Sequence, residues 1–390
     1  MNAIHDNEYG RRLSRLQQTI RNLRADACII STSVNQFYLL GHIFDGYIYL
    51  LPDGEPLLFV KRPAGITGGR VNYIRKPEQL PELLSQSRIE LPQRVLVECD
   101  SISYSAISRL QSALGMPELI NVSGEIRRIR SIKSEYELEQ LRRSADIHAA
   151  VYRQIPHIYR EGMTDIQFQI ELEREMRLAG SAGIFRTFGE NMEIFMGSIL
   201  AGENAQSASP FDFALGGEGL SPLLPIGANG TKLIPGTTLM VDMAGNYTPW
   251  MSDMTRTFAI GEVPEIAHRA HRLSIDICNA IAGTARPGTP CADLYALAEE
   301  MVKKNGLADF FMGTKQQAKF VGHGIGLEIN EPPVLAPRSK ELLECGMTIA
   351  VEPKFVLPAI GAVGIENSYI VQQNGLEKIT RYEEELTSLS

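Results

Sequence analysis

The sequence predicts an α/β chain of two domains, α+β in character in its second part, and three observations carry that prediction. Helical and strand-like patterns alternate through the first third. A basic stretch followed by a helix-start signal then opens a second unit, and from Thr237 onward strand-like segments dominate. The 390 residues allow two or three domains at roughly 100–200 residues each. With 44% hydrophobic and 22% charged residues, the chain can bury a full core.

In order, Glu8–Leu23 places Leu13, Leu16, Ile20 and Leu23 on one helical face. Ala27–Ser31 reads as a short buried strand. Tyr47–Leu51 and Pro56–Val60 read as strands joined by a turn at Pro52-Asp53-Gly54. Val95–Glu98 is a further strand and Ser103–Leu114 a helix, which completes a compact α/β domain over residues 1–126. The stretch Arg127–Lys133 lacks apolar periodicity and marks the boundary, so the second domain spans 127–390. Ser134 and Glu137 form a capping box, and Leu138, Leu141, Ala145, His148 and Val151 define one face of the helix it opens. Thr164 and Gln167 repeat the device for a helix running to about Ala179. Residues 200–236, rich in Gly, Ser and Pro, read as a covering loop. Helices near Pro264–Ala282 and Cys291–Asn305 interrupt the later strands; on the first of these, His268 and His271 are expected on the solvent side.

The charge balance narrows the function. Lys plus Arg number 38 against 46 Asp plus Glu, a net charge of −8, and no basic block is present, which argues against a nucleic-acid partner. No window of about 18 apolar residues exists to span a bilayer. The polar start, MNAIHDNEYGRRLSRL, differs from a secretory leader. Five scattered cysteines without a C-x-x-C pair fit reduced thiols, so the expected compartment is the cytoplasm.

Acidic residues stand on strand-like segments where apolar ones are usual. Thr238–Met243 carries Asp242, a turn follows Gly245-Asn246, and the returning strand carries Asp253. The midpoint of this pair falls at the turn, so the two are expected as cross-strand neighbours. Thr348–Val356 carries Glu352 and Val363–Val371 carries Glu366, with Ala359 midway at the tip. Between the hairpins lies FVGHGIGL, where glycines flank His323 and let its backbone approach a crowded centre. Four converging carboxylates repel one another unless positive charge sits among them, and divalent cations are expected to supply it. Carboxylates with an imidazole suit Mn²⁺, Co²⁺, Fe²⁺ or Zn²⁺ and can hold two ions. The GHGIG run lacks the spacing of a dinucleotide loop.

These residues resemble the pita-bread metallohydrolases, the family of aminopeptidase P, prolidase, methionine aminopeptidase and creatinase. The matching segments are VDMAG at 241–245, SDMTRTF at 252–258, GHGIGL at 322–327, VEP at 351–353 and GIEN at 364–367. RSIKSEYELEQLRRSADI at 130–147 looks like the opening of that catalytic domain, and NQFYLLGH at 35–42 resembles the creatinase/prolidase-like N-terminal domain. The resemblance implies a pita-bread fold for the second domain and a homodimer. It implies that Asp242 chelates one metal, that His323 and Glu352 bind the other, and that Asp253 and Glu366 bridge them. Thr255 and Thr257 would orient carboxylates by hydrogen bonding.

The substrate-handling positions depart from the family pattern. GHGIGL-x-x-HE-x-P is usual, but this chain reads GHGIGLEINEPP, so Asn330 stands where a proton-carrying histidine belongs. No histidine occurs in 200–236, Gly364 replaces a usual arginine, and Asn367 replaces an acid. The resemblance implies a metallopeptidase-like hydrolase of Xaa-Pro dipeptides or N-terminal Xaa-Pro bonds, using two divalent ions, Mn²⁺ first among them. Glu352, His323 and Asn330 are its expected catalytic residues, with Glu352 serving as acid and base alongside its ligand role. The alternative is an amidinohydrolase or lyase acting on a small nitrogenous metabolite. If Asn330 marks only a lost proton carrier, Asn330→His raises peptidase turnover.

Overall fold

The computed structural model describes residues 3–67, 70–189 and 193–389. The chain divides into two compact units, Met1–Arg130 and Ser131–Ser390.

The first unit contains α1 (Ala3–Asn22), β1 (Ala27–Ile30), α2 (Ser33–Leu40), β2 (Asp45–Leu50), β3 (Leu57–Arg62) and β4 (Arg70–Tyr73). It continues with α3 (Leu80–Gln86), β5 (Arg94–Val97), α4 (Tyr104–Ala113), β6 (Glu118–Asn121) and α5 (Ser123–Ser131). The strands form one sheet in the order β4-β3-β2-β1-β5-β6. All four residues of β1 are buried, the pattern of a central strand covered on both faces. On one face Ala27, Ile29, Tyr49, Phe59, Val95 and Val97 pack with Leu80 and Leu84 of α3 and Leu110 of α4. The basic stretch at 127–133 is largely helical, since α5 runs through Ser131. Glu125 in its first turn and Arg128 and Arg130 in its last complement the helix dipole, an ordering that charge count without apolar period concealed.

The second unit opens with α6 (Glu135–Tyr152), α7 (Ile155–Ile158) and α8 (Asp165–Leu178). Both expected capping boxes are present, at Ser134/Glu137 and Thr164/Gln167. Next come β7 (Gly197–Ala201), β8 (Thr237–Gly245), β9 (Ser252–Ile260), α9 (Glu265–Thr284) and α10 (Cys291–Lys304). The remaining strands are β10 (Gly322–Gly324), β11 (Glu331–Val334), β12 (Thr348–Val351), β13 (Lys354–Leu357), β14 (Gly361–Gly364), β15 (Asn367–Gln372), β16 (Gly375–Lys378) and β17 (Thr387–Leu389). They form a four-stranded sheet β17-β9-β8-β7, a five-stranded sheet β11-β10-β12-β15-β16 and the β13-β14 hairpin.

Strand periodicity explains where the acidic residues go. On β8, Leu239, Val241 and Met243 turn toward α6 and α8, joining Val151, Tyr152, Phe168 and Leu172 in one core cluster. The alternate residues, Met240 and Asp242, take the other face, where Met240 meets Val356 and Ala362 of the β13-β14 hairpin. That hairpin obeys the same rule. Phe355, Leu357, Val363 and Ile365 pack with Ala270, Ile277 and Ile281 of α9 and Leu294 of α10. The even-numbered residues, Glu352, Lys354 and Val356 on one arm and Ala362, Gly364 and Glu366 on the other, are left for the opposite face. Two apolar layers therefore enclose a polar seam.

Candidate metal centre

Register fixes the seam's geometry. Asp242 pairs with Thr255, and Asp253 pairs with Ala244, so the two aspartates are diagonal neighbours on one face and not directly opposed. The turn is centred one residue later than the midpoint of the pair, which corrects the expected cross-strand pairing. Glu352 and Glu366 do oppose each other, because Val351 pairs with Asn367 and Lys354 with Gly364 on either side of them. They occupy the interruption between β12–β15 and β13–β14, and Ala359 at the tip has φ 63°.

Asp242, Asp253, Glu352 and Glu366 are all at most 6% exposed. His323 enters from β10. Its Nδ1 lies 3.1 Å from the Gly324 carbonyl, and its Nε2 lies 3.3 Å from Glu352 Oε1 and 3.9 Å from both Asp253 Oδ2 and Glu366 Oε1. The Gly324 carbonyl accepts from Nδ1–H, which turns Nε2 toward the carboxylates. Gly322 and Gly324 permit this approach, since a Cβ on either would lie 2.3 Å from the Ala350 oxygen or 2.1 Å from the Pro332 oxygen.

Sequence reasoning passed over Lys354. Its side chain is fully buried, and Nζ lies 2.6 Å from Glu352 Oε2, 2.8 Å from Asp242 Oδ2 and 3.6 Å from Glu366 Oε2. The expectation that divalent cations alone neutralise the four carboxylates is thereby corrected: an ammonium already stands among them. The signal was available, because a residue two positions after Glu352 on an extended segment shares its face.

The electrostatics follow from this crowding. Burial and the neighbouring carboxylates of Glu366, Asp242 and Glu352 hold the Asp253 carboxyl well above its ordinary range. Burial with the Glu352 and Asp242 charges also raises Glu366, against the pull of Lys354. Glu352 goes the other way: burial would raise it, but Lys354 and His323 together hold it low. Burial alone would lower His323, yet its hydrogen bond to Glu352 and the nearby carboxylates bring it up to about 9.

Neighbouring polar groups fix the carboxylate-bearing strands. Thr255 Oγ1 donates to Glu366 Oε2 at 2.8 Å. Thr257 Oγ1 instead donates to the Gly364 carbonyl at 2.8 Å, so it orients the strand leading to Glu366 and not a carboxylate. The buried Arg256 donates to the carbonyls of Thr255 and Glu366 and to Asn367 Oδ1. Ser368 Oγ exchanges hydrogen bonds with the backbone of Asp253. Asn330 is engaged at both ends of its amide: Oδ1 accepts from Phe188 N at 2.8 Å and Nδ2 donates to Phe188 O at 2.9 Å. His271, expected in solvent, is buried, with Nε2 2.7 Å from the Glu384 carbonyl. Trp250 is buried edge-on against Tyr136, a packing role.

The side chains form two groups whose ligand atoms lie within 4.8 Å of one another, Asp253–His323–Glu366 and Asp242–Glu352–Glu366. Lys354 touches all three members of the second. In the first, Glu366 Oε1 is a buried oxygen without a hydrogen-bond partner among the described residues. A buried anionic oxygen left unpaired is costly, and a cation in this group would satisfy it. The donor set of carboxylates and imidazole therefore fits a divalent metal.

Residues 139–373 match the model of metallopeptidase family M24, and residues 12–132 match the creatinase/prolidase N-terminal domain. An uncharacterized peptidase of Bacillus subtilis is 28% identical over 298 residues, 76% of this chain and 75% of that protein. The fold is similar to that of an Xaa-Pro dipeptidase from Bacillus anthracis, with TM-score 0.80, 23% identity and coverage of 98% and 100% of the two chains. An X-Pro aminopeptidase from Thermotoga maritima gives TM-score 0.78 at 21% identity, covering 95% and 99%.

Proposed function

Since the chain belongs to metallopeptidase family M24 and is a metallopeptidase-type hydrolase, we propose that it cleaves Xaa-Pro dipeptides or N-terminal Xaa-Pro bonds. The single observation that carries the reading is a buried cluster of four carboxylates beside His323 in which Glu366 Oε1 has no hydrogen-bond partner among the described residues. The family implies divalent metal ions, and the donor set favours Mn²⁺, with Co²⁺, Fe²⁺ or Zn²⁺ as substitutes. Asp253, His323 and Glu366 are the proposed holding residues at one position, and Asp242 and Glu352, with Glu366, line the second, which Lys354 also reaches. Bound there, a divalent ion supplies Lewis-acid polarisation of a carbonyl and lowers the pKa of water.

The chain's own residues supply the rest. Glu352, kept ionised by Lys354 and His323, is the proton acceptor at Oε1 and returns the proton to the leaving amine. Thr255 holds Glu366 in orientation. The Xaa-Pro preference is drawn from the solved neighbours of the same fold. A second reading, a non-peptidase hydrolase or lyase acting on a small nitrogenous metabolite, is favoured by one observation: Asn330, where the family carries a histidine, is bound to Phe188. We place the enzyme in the cytoplasm as a homodimer; all five cysteines are free, and no described helix is long and apolar enough to cross a membrane.

Mn²⁺-loaded protein supplied with Xaa-Pro dipeptides and longer Xaa-Pro peptides is expected to release proline or the N-terminal residue. Asp253→Ala and Glu366→Ala should abolish turnover and bound metal together. Metal-dependent turnover of a small amidine or amide without cleavage of Xaa-Pro substrates would select the second reading.

A further inference from the structure

We infer that Lys354 takes the place of one of the two cations, so that this chain holds a single divalent ion, among Asp253, His323 and Glu366, beside a built-in ammonium. The inference rests on the metal-dependent reading above and sets its stoichiometry.

The two candidate cation positions are chemically distinct. Glu352 turns Oε2 to Lys354 at 2.6 Å and Oε1 to His323 at 3.3 Å. Glu366 divides its oxygens in the same way, with Oε2 at 3.6 Å from Nζ and Oε1 at 3.9 Å from His323 Nε2. The two glutamates thus stand between an ammonium on one side and an imidazole on the other. Asp242 belongs to the ammonium side, at 2.8 Å, and Asp253 to the imidazole side. On the ammonium side Asp242 Oδ2 and Glu352 Oε2 already have a cationic donor at hydrogen-bond distance, and Glu366 Oε2 accepts from Thr255. An ion ligated by the same oxygens at about 2.0–2.2 Å would press into Nζ. On the imidazole side Glu366 Oε1 is left unpaired among the described residues. One position is therefore satisfied by the chain and the other is not.

Lys354 is also held in place. Its side chain is fully buried, and β13 fixes its backbone through pairing with Gly364 and a 2.8 Å hydrogen bond from Met312 N to its carbonyl. Gly364 opposite carries no side chain, and a Cβ there would come 3.0 Å from Lys354 Cα. Withdrawing the ammonium would strand its charge in an apolar interior.

The test counts ions without using substrate. Purified protein is stripped with chelator, equilibrated with saturating Mn²⁺ and passed over a desalting column, and metal per chain is read by elemental analysis. Wild type is expected to retain one ion and to show the isolated Mn²⁺ hyperfine sextet in electron paramagnetic resonance. Lys354→Met and Lys354→Gly are expected to retain two and to show an exchange-coupled spectrum. A wild-type count of two or of none overturns the inference, as does a folded Lys354 variant that still holds one. If neither variant folds, the wild-type count and spectrum decide alone. One ion in wild type without Xaa-Pro cleavage sinks the peptidase reading and leaves this inference standing.

Discussion

Asn330 shows how one side chain can change an expectation. The sequence offered it as a histidine replacement that had lost its proton, which makes Asn330→His a gain of function. In the fold both ends of the amide are committed to the backbone of Phe188. An imidazole places its second nitrogen farther from Cβ than an amide does, so it cannot reproduce both bonds. Asn330→His is therefore expected to give no rise in Xaa-Pro turnover. It should lower stability by about 0.5–1.5 kcal/mol, the net worth of a hydrogen bond between part-buried groups. Thermal melting and kcat/KM measured together check this; higher turnover at an unchanged Tm would return Asn330 to the substrate. Lys354 illustrates the opposite error. Gly364, where an arginine is usual, is the cross-strand partner of Lys354, so the ammonium-bearing residue faces a position without a side chain. That pairing becomes legible only once the hairpin register is known.

At the scale of elements, β10 depends on its glycines for closeness rather than for unusual backbone angles. A Cβ at Gly324 would lie 2.1 Å from the Pro332 oxygen and 2.6 Å from the Glu331 oxygen, both on fixed backbone. Gly324→Ala must push β10 away from β11 and move His323 with it. The expected cost is about 1–3 kcal/mol, read as a lower urea midpoint, with Mn²⁺ affinity falling in parallel. An unchanged midpoint would mean that β11 yields freely. The long elements were legible because their signals are local: the Ser134/Glu137 and Thr164/Gln167 boxes and the period-two Asp242, Asp253, Glu352 and Glu366 placements need no distant partner. Among the short elements that went unread, α2, β4 and β6 take their support from elsewhere in the chain. The start of α2 is anchored by Glu98, whose carboxylate accepts from Ser31 N at 2.7 Å, Thr32 N at 3.0 Å and Asn35 Nδ2 at 2.6 Å. β4 and β6 are edge strands of partly exposed residues, set in place by pairing with β3 and β5. The break that puts Glu352 and Glu366 between two sheets was equally illegible, since Thr348–Val356 and Val363–Val371 each read as one continuous strand.

For the whole molecule, acid is the condition that tests the fold most directly. His148 and His271 are both buried, and burial pushes them down to about 3 and about 4, with partial relief from hydrogen bonds to the Met243 and Glu384 carbonyls. In the unfolded chain each titrates near 6.5. Between those values the unfolded state binds protons that the folded state refuses, so stability rises with pH and is lost as pH falls below about 6.5. Net charge complicates the observation: the chain carries −8 at pH 7 and passes neutrality near pH 5.5, where mutual repulsion between molecules is weakest. Aggregation and loss of stability therefore coincide in an unbuffered acid titration, and urea unfolding at fixed pH is the cleaner measurement. His271→Gln keeps an amide nitrogen near the Glu384 carbonyl without a group that titrates in this range. The variant should match or fall slightly below wild type at pH 7. Its stability relative to wild type should then improve by on the order of 3 kcal/mol as pH falls to about 4, at up to about 1.4 kcal/mol per pH unit. A wild-type-to-variant difference that stays flat from pH 7 to 4 would show that His271 accepts its proton without leaving the core, and the acid sensitivity would then belong to other groups.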